Sequence, residues 1–345
     1  MKHFTWSFVI AFILLAVSGW WGFNHGGAPA ALQALLITSI LAVMEVSLSF
    51  DNAVVNAAVL RTWDDFWQKI FLTIGMIVAV FGMRLFFPIA IVAVATGLGL
   101  SQVVDLALNQ PDEYARQLTD HHPQVSAFGG AFLLLVFLNF LFDEEKELHW
   151  LGWIEEKFGT HGNEGLSTLL TLLAVYAASL MVPSAQQMSI VLSGIGGVVV
   201  YLAVDFIGGL LGSEEEISHT GELVKKGSIG GFIYLEVLDA SFSFEGVIGA
   251  FAITTDVVII MAGLAIGAFF VRSLTIFLVR QGTLEAYVYL EHGAHYAIGI
   301  LAAIMLLSVT YHIPEWFTGL SGVVFIGLSL WSSIRHRRLE AKSLG

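Results

Sequence analysis

Met44-Glu-Val-Ser-Leu-Ser-Phe-Asp-Asn-Ala-Val-Val-Asn56 sets two acids, Glu45 and Asp51, inside an apolar run, and Leu238-Asp-Ala-Ser-Phe-Ser-Phe-Glu-Gly-Val-Ile-Gly-Ala250 does the same. Aligned without gaps, Glu45 falls on Asp239 and Asp51 on Glu245. Ser47, Ser49 and Phe50 fall on Ser241, Ser243 and Phe244. A charged side chain at the centre of a membrane helix costs roughly 2.5–3.5 kcal/mol on insertion scales, so acids kept there mark function or pairing. A repeated pair points to one site built from two halves of a transporter.

The surrounding chain sets this reading in a membrane. Of 345 residues, 57% are hydrophobic and 12% charged, and the mean hydropathy is +0.80. A soluble domain carries about 25% charged residues. The expected fold class is all-α, a polytopic helical membrane protein forming a single transporter domain over 1–345. Without cysteine, disulfides, thiolate metal sites and cysteine nucleophiles are excluded. The net charge of −13 argues against nucleic acid as a partner and leaves the lipid bilayer as the expected one. No enzyme activity is expected.

The apolar runs read as about ten transmembrane helices, near 4–23, 30–60, 69–99, 125–142, 166–182, 187–212, 228–253, 256–280, 292–311 and 314–333. With ten crossings, Lys2, Arg61, Lys69, Lys146, Lys157, Lys225, Lys226, Arg280, Arg335, Arg337, Arg338 and Lys342 share one side, and Arg116 alone takes the other. The positive-inside rule then puts both termini in the cytoplasm of a cell with the protein in its inner membrane. Lys2 and Ala16-Val-Ser18 allow a signal-peptide reading of the first run. Trp20-Trp21 favours an uncleaved first helix with an interfacial anchor. The acid motifs, 44–56 and 236–250, lie five spans apart, so they cross in opposite directions as an inverted repeat.

Helical spacing says what each half offers. Glu45, Ser49, Asn52 and Asn56 form one stripe, as do Glu236, Asp239 and Ser243. Asp51 lies about 120° around a regular helix from Glu45. Either the helix breaks near Ser49–Asn52 or each acid meets partners from the other half. Carboxylates, amide oxygens and hydroxyls suit a hard divalent cation, and an empty site would take protons instead. Structural ion pairs with Arg84 and Arg272 are the competing reading for each acid, and Asp205 is open to either role.

These motifs resemble those of the TerC family of integral membrane proteins, named for tellurium resistance. That family carries an acid, five residues and Asp-Asn in an early helix, matched here by Glu45 and Asp51-Asn52. A later helix carries Glu, two residues, Asp, five residues and Asp-Ser. Here Glu236, Asp239 and Glu245-Gly246 match, with Glu for Asp and Gly for Ser. The chain is longer than the usual seven-span members. The resemblance implies a metal-ion exporter, with Mn2+ as the favoured cargo, in a wider superfamily that includes amino-acid exporters. The candidate metal ligands are Glu45, Asp51, Asn52, Glu236, Asp239 and Glu245, with no tightly bound cofactor and protons as a counter-ion. The alternatives are an exporter of a small cationic or zwitterionic solute and a non-transporting membrane assembly partner. An oxyanion such as tellurite is disfavoured at so acidic a site.

Other features carry a bland and a sharp reading. Glu291, His292 and His295 open the ninth run at spacings that allow one shared ion; helix-end capping is favoured. Residues 143–158 read as an amphipathic helix with Leu148, Leu151, Ile154 and Phe158 as its stripe, docked on lipid or on the protein's own loops. His121-His122 and Glu214-Glu215-Glu216 with Glu222 read as solvated, and Arg335 to Arg338 as a topology anchor.

Overall fold

The computed structural model describes residues 4–61, 63–143, 146, 148–159, 164–211, 227–280 and 287–343. The acidic stretch 214–222 lies outside the described residues, as does the Glu245 side chain. Among the described residues the chain is helical and has no strand.

The first helix, α1 (Thr5–Leu48), is broken at Gly26 and Gly27, where φ/ψ are −164°/20° and 69°/−158°. The second pair of angles belongs to a region only glycine enters readily. The two halves fold back on each other. Ser18 Oγ and Thr38 Oγ1 lie 2.5 Å apart, and a Cβ on Gly22 would meet the Ala30 carbonyl oxygen at 2.6 Å. Thus the runs near 4–23 and 30–60 form a hairpin. α2 (Phe50–Leu60) continues the second arm beyond Ser49.

α3 (Asp65–Ile70) starts on Asp64, whose carboxylate accepts the N–H groups of Phe66 and Trp67. It runs into two π-helical stretches, Phe71–Gly75 and Val78–Phe86, and then α4 (Phe87–Thr96). α5 (Leu100–Asn109) and α6 (Pro111–Asp120) pack on the far end. The expected connection is therefore helical, because Val103, Tyr114 and Leu118 bury one face. The remaining helices are α7 (His122–Leu141), α8 (Trp153–Gly159), α9 (Glu164–Ser179), α10 (Ser184–Leu211), α11 (Ile229–Ile253), α12 (Val257–Arg280), α13 (Leu290–Ser308) and α14 (Glu315–Ser343).

By length and composition, seven helices among the described residues can cross a membrane. They are Thr5–Leu48, Asp65–Val94, His122–Leu141, Ser184–Phe206, Val257–Arg280, Leu290–Ser308 and Phe317–Leu339. The protein is a polytopic helical membrane protein. Seven differs from ten for physical reasons. α1 holds a whole run and most of the next, α9 has only 16 residues, and α11 is long enough at 25 but holds three acids.

Two apolar clusters bracket the acids. One holds Val54, Val55 and Leu60 of α2 with Leu235, Leu238 and Phe242 of α11. The other holds Ala34 and Leu41 of α1 with Val247 and Ala250 of α11. Glu45–Asn52 and Ser243–Gly246 occupy the seam, and the two stretches pass it in opposite directions.

The expected single helix over 143–158 is corrected. Gly152 takes φ 46°, and α8 begins only at Trp153. Glu155 is fully buried. It accepts the N–H groups of Trp150 (3.2 Å) and Leu151 (3.1 Å) and the Tyr296 hydroxyl (2.9 Å). The segment docks on α13.

Gly27→Ala places a Cβ where only glycine is at ease and should cost on the order of 1–3 kcal/mol. Gly327→Ala, on exposed helix with open space around it, should be neutral or stabilising. Unfolding midpoints in a denaturant titration of the purified protein check the pair; equal effects would mean the break is not set by Gly27.

Candidate functional site

The helix does break where the two acids needed it to. Ser49 has φ −101° and ψ 15°, ending α1 and starting α2, and its N–H returns to the Glu45 carbonyl. Partners from the other half are present as well. Asn52 and Asn56 both donate their side-chain amides to Asp239 Oδ1, the second at 3.2 Å. All three side chains are buried. The stripe read from spacing thus joins the two acid motifs directly.

Glu45 is 1% exposed and forms an ion pair with Arg84 of the second π-helical stretch. Ser49 Oγ donates to its Oε1 at 2.9 Å. Arg84 also donates to the Ala79 carbonyl at 2.6 Å. For Glu45, then, the ion-pair reading holds. Arg272 makes no such pair among the described residues; its Nε donates to the Leu72 carbonyl at 2.6 Å.

Small residues seat these acids. A Cβ at Gly246 would lie 2.6 Å from Glu45 Oε2, so serine there would displace the carboxylate. Gly267 packs on the Glu45 stem and Gly263 on Leu41. Gly263-Leu-Ala-Ile-Gly267 is a small-xxx-small spacing that the sequence displays and that brings α12 against α1.

Asp51 is buried but points elsewhere. Its Oδ1 accepts the Asn52 N–H at 2.9 Å, and its Oδ2 faces Gly322 of α14, where a Cβ would stand 2.7 Å away. Glu236 lies against Gly75, where a Cβ would be 2.5 Å from Oε1. Among the described residues neither Glu236 oxygen has a hydrogen-bond partner, nor do Asn52 Oδ1, Asn56 Oδ1 and Ser243 Oγ.

Asn52, Asn56, Arg84, Asp239, Arg272 and Thr275 give the polar lining of a narrow cleft of about 40 Å³ between α2, the π-helical wall, α11 and α12. Glu236 borders it through Gly75. Asp205 is not among its lining. Of the six expected ligands, the structure brings Asn52 and Asp239 together, sets Glu236 beside them, ties Glu45 to Arg84 and turns Asp51 toward α14. Among the described residues no group of three or more Asp, Glu or His side chains is arranged to hold one ion. Sequence reasoning missed Asn56 as a cleft residue of equal standing with Asn52. It also missed the π-helical wall, for which the sequence carries no signal.

The second cluster at the head of α13 takes its bland reading. Glu291 pairs with Arg61 at 2.8 Å. His292 Nε2 bonds the Leu148 carbonyl at 2.8 Å, and His295 stacks on Phe140. His121 Nδ1 bonds the Gln117 carbonyl at 2.8 Å.

The model of the family described as "Protein of unknown function (DUF475)" matches residues 50–340, most of the chain, which belongs to that family. No curated protein and no solved structure matches the chain.

Arg84→Gln leaves Glu45 as an unpaired buried charge and should cost about 3–5 kcal/mol. Adding Glu45→Gln should restore most of that stability. A double-mutant cycle on unfolding midpoints checks this, and additive losses would show that the two side chains are not coupled.

Proposed function

We propose that this member of the family is a transporter that exports a divalent cation across the inner membrane, Mn2+ foremost, in exchange for protons, and not an enzyme. The observation that carries the reading is the set of buried oxygens around Asp239. Glu236, Asn52, Asn56 and Ser243 present oxygens without donors among the described residues. Leaving such groups unmet is costly, and a hard cation is the ligand that takes oxygens only. The likeness of both acid motifs to the TerC family supports the same cargo. On this reading, Asp239 and Glu236 give the charge and the two asparagines give neutral oxygens. Glu45, Asp51 and Glu245 belong to the wider ligand set, entering as the cleft changes shape.

The proposed topology has ten crossings, with α1 supplying the hairpin of the first two and both termini in the cytoplasm. The two acid motifs are then related as an inverted repeat. The opposed passage of α1–α2 and α11 through the seam supports this arrangement.

A second reading is favoured by Arg84 and Arg272 lining the same cleft as Asp239. A small zwitterion would find an acid for its amine and a guanidinium for its carboxylate.

Flux into proteoliposomes separates the two. Asp239→Asn and Glu236→Gln should each lower Mn2+ flux by at least about tenfold at normal protein yield. Wild-type protein that moves a zwitterionic amino acid but no divalent ion would replace the first reading by the second.

Topology is open to a clean test because the chain has no cysteine. Ser101→Cys, exposed on α5, should react with an impermeant thiol reagent in whole cells. Ser213→Cys should react only after lysis, and the opposite pattern would reverse the orientation.

A further inference from the structure

Arg272 faces two cavities. One is the polar cleft. The other is an apolar groove of about 250 Å³, lined by Leu72, Thr73, Met76, Ile77, Phe81 and Phe269 with Arg272 as its one charged residue. Thr73, Ile77 and Phe81 are exposed on the surface that a bilayer covers. A guanidinium at the border of such a groove needs a counter-charge, and among the described residues no carboxylate pairs with it. Its one hydrogen bond among them goes to the Leu72 carbonyl.

The depth of Arg272 says what supplies that charge. Leu72 lies three residues beyond the exposed Lys69, about 5 Å along a helix. The Arg272 head is held at that level, and α12 reaches its exposed end at Arg280, about 12 Å further on. Lys69 and Arg280 thus mark the same membrane surface, with Arg272 close beneath it. From that point the groove runs inward. Thr73, Met76, Ile77 and Phe81 succeed one another away from Lys69, and Phe269 lies one turn deeper than Arg272 on α12. A cation at the headgroup end with an apolar channel leading toward the bilayer centre matches one ligand chemistry, a phosphate carrying an acyl chain.

We propose that this groove is a binding site for an anionic phospholipid of the leaflet next to Lys69 and Arg280. The phosphate sits on the free N–H groups of Arg272, and one acyl chain lies along Met76, Ile77, Phe81 and Phe269. Guanidinium suits phosphate because it offers parallel donors in a fixed fork. The site rests on the membrane placement of these helices and not on the identity of the cargo.

The test uses purified full-length protein in detergent with phosphatidylglycerol, phosphatidylcholine or inorganic phosphate added, read by thermal unfolding and by native mass spectrometry of retained lipid. Phosphatidylglycerol should raise the midpoint and be retained, while phosphatidylcholine and inorganic phosphate should do little. Arg272→Gln should lower phosphatidylglycerol retention by about tenfold or more, the effect of losing a charged hydrogen bond. Ile77→Trp fills the groove from the lipid side while keeping the Arg272 guanidinium and should also lower retention, so the proposal stays testable if the arginine variant does not fold. Equal effects of the two lipids on wild type, or a phosphatidylglycerol preference that survives Ile77→Trp, would overturn the site. Stabilisation by inorganic phosphate alone, equal to that by lipid, would overturn the acyl groove and leave a free-anion site.

Discussion

The buried pair of Glu45 and Arg84 is the constraint on which the rest of this bundle depends. A carboxylate with 1% exposure in an apolar seam cannot stay charged alone, and its partner comes from a different part of the chain. That contact fixes the second π-helical stretch against α1. It therefore fixes the wall of the cleft that Asn52, Asn56 and Asp239 share. The glycines at 246 and 267 complete the arrangement, because the Glu45 side chain fills the space their missing Cβ atoms leave. The pair is a costly way to hold two helices, and hydrophobic contacts of equal volume would commonly do as well. Its place beside the cleft gives it a use that packing alone does not supply.

Much of this was legible in the sequence because the signals were local. The four-three-four spacing from Glu45 to Asn56 predicted one polar stripe, and that stripe bonds the opposite motif. The six-residue offset of Asp51 from Glu45 predicted a break or partners from the other half; the helix breaks at Ser49, and Asp239 supplies a partner to Asn52 and Asn56. Gly246 in place of the serine usual in the TerC family reads in sequence as a lost hydroxyl. In three dimensions it is room for Glu45. What the sequence did not show depends on tertiary contact. Nothing in the sequence marks Glu155 as the acid to be buried, and the turn at Gly152 brings it under Trp150 and Leu151. The π-helical stretches have ordinary apolar composition. Glu236 packs against Gly75 at the end of the first of them. Asp51 and Asp239 are matched to equally charged positions of the repeat partner, yet one faces α14 and the other the cleft, which no alignment of two segments reveals.

The wall itself suits a moving part. π-helical turns are rare and gather at functional positions. Here they run over Phe71–Gly75 and Val78–Phe86, so that the element holding Arg84 is the least regular in the bundle.

The two acid motifs differ in a way that bears on charge. Glu45 and Asp239 occupy equivalent positions in the two motifs. One is met by a guanidinium and the other by two neutral amides. Counted formally, Glu45 and Arg84 cancel. Asp239 and Glu236 leave two negative charges at the cleft, and Arg272 brings one positive charge to its edge. With a lipid phosphate on Arg272, as proposed, that positive charge is also cancelled, and the cleft keeps the two that a divalent cation balances. Without it, a single net negative charge remains, which a monovalent cation balances. The lipid site and the choice of cargo are thus coupled through one side chain. Cargo selectivity of the reconstituted protein should then depend on the anionic lipid present, with divalent flux favoured in phosphatidylglycerol over phosphatidylcholine and that preference lost in Arg272→Gln.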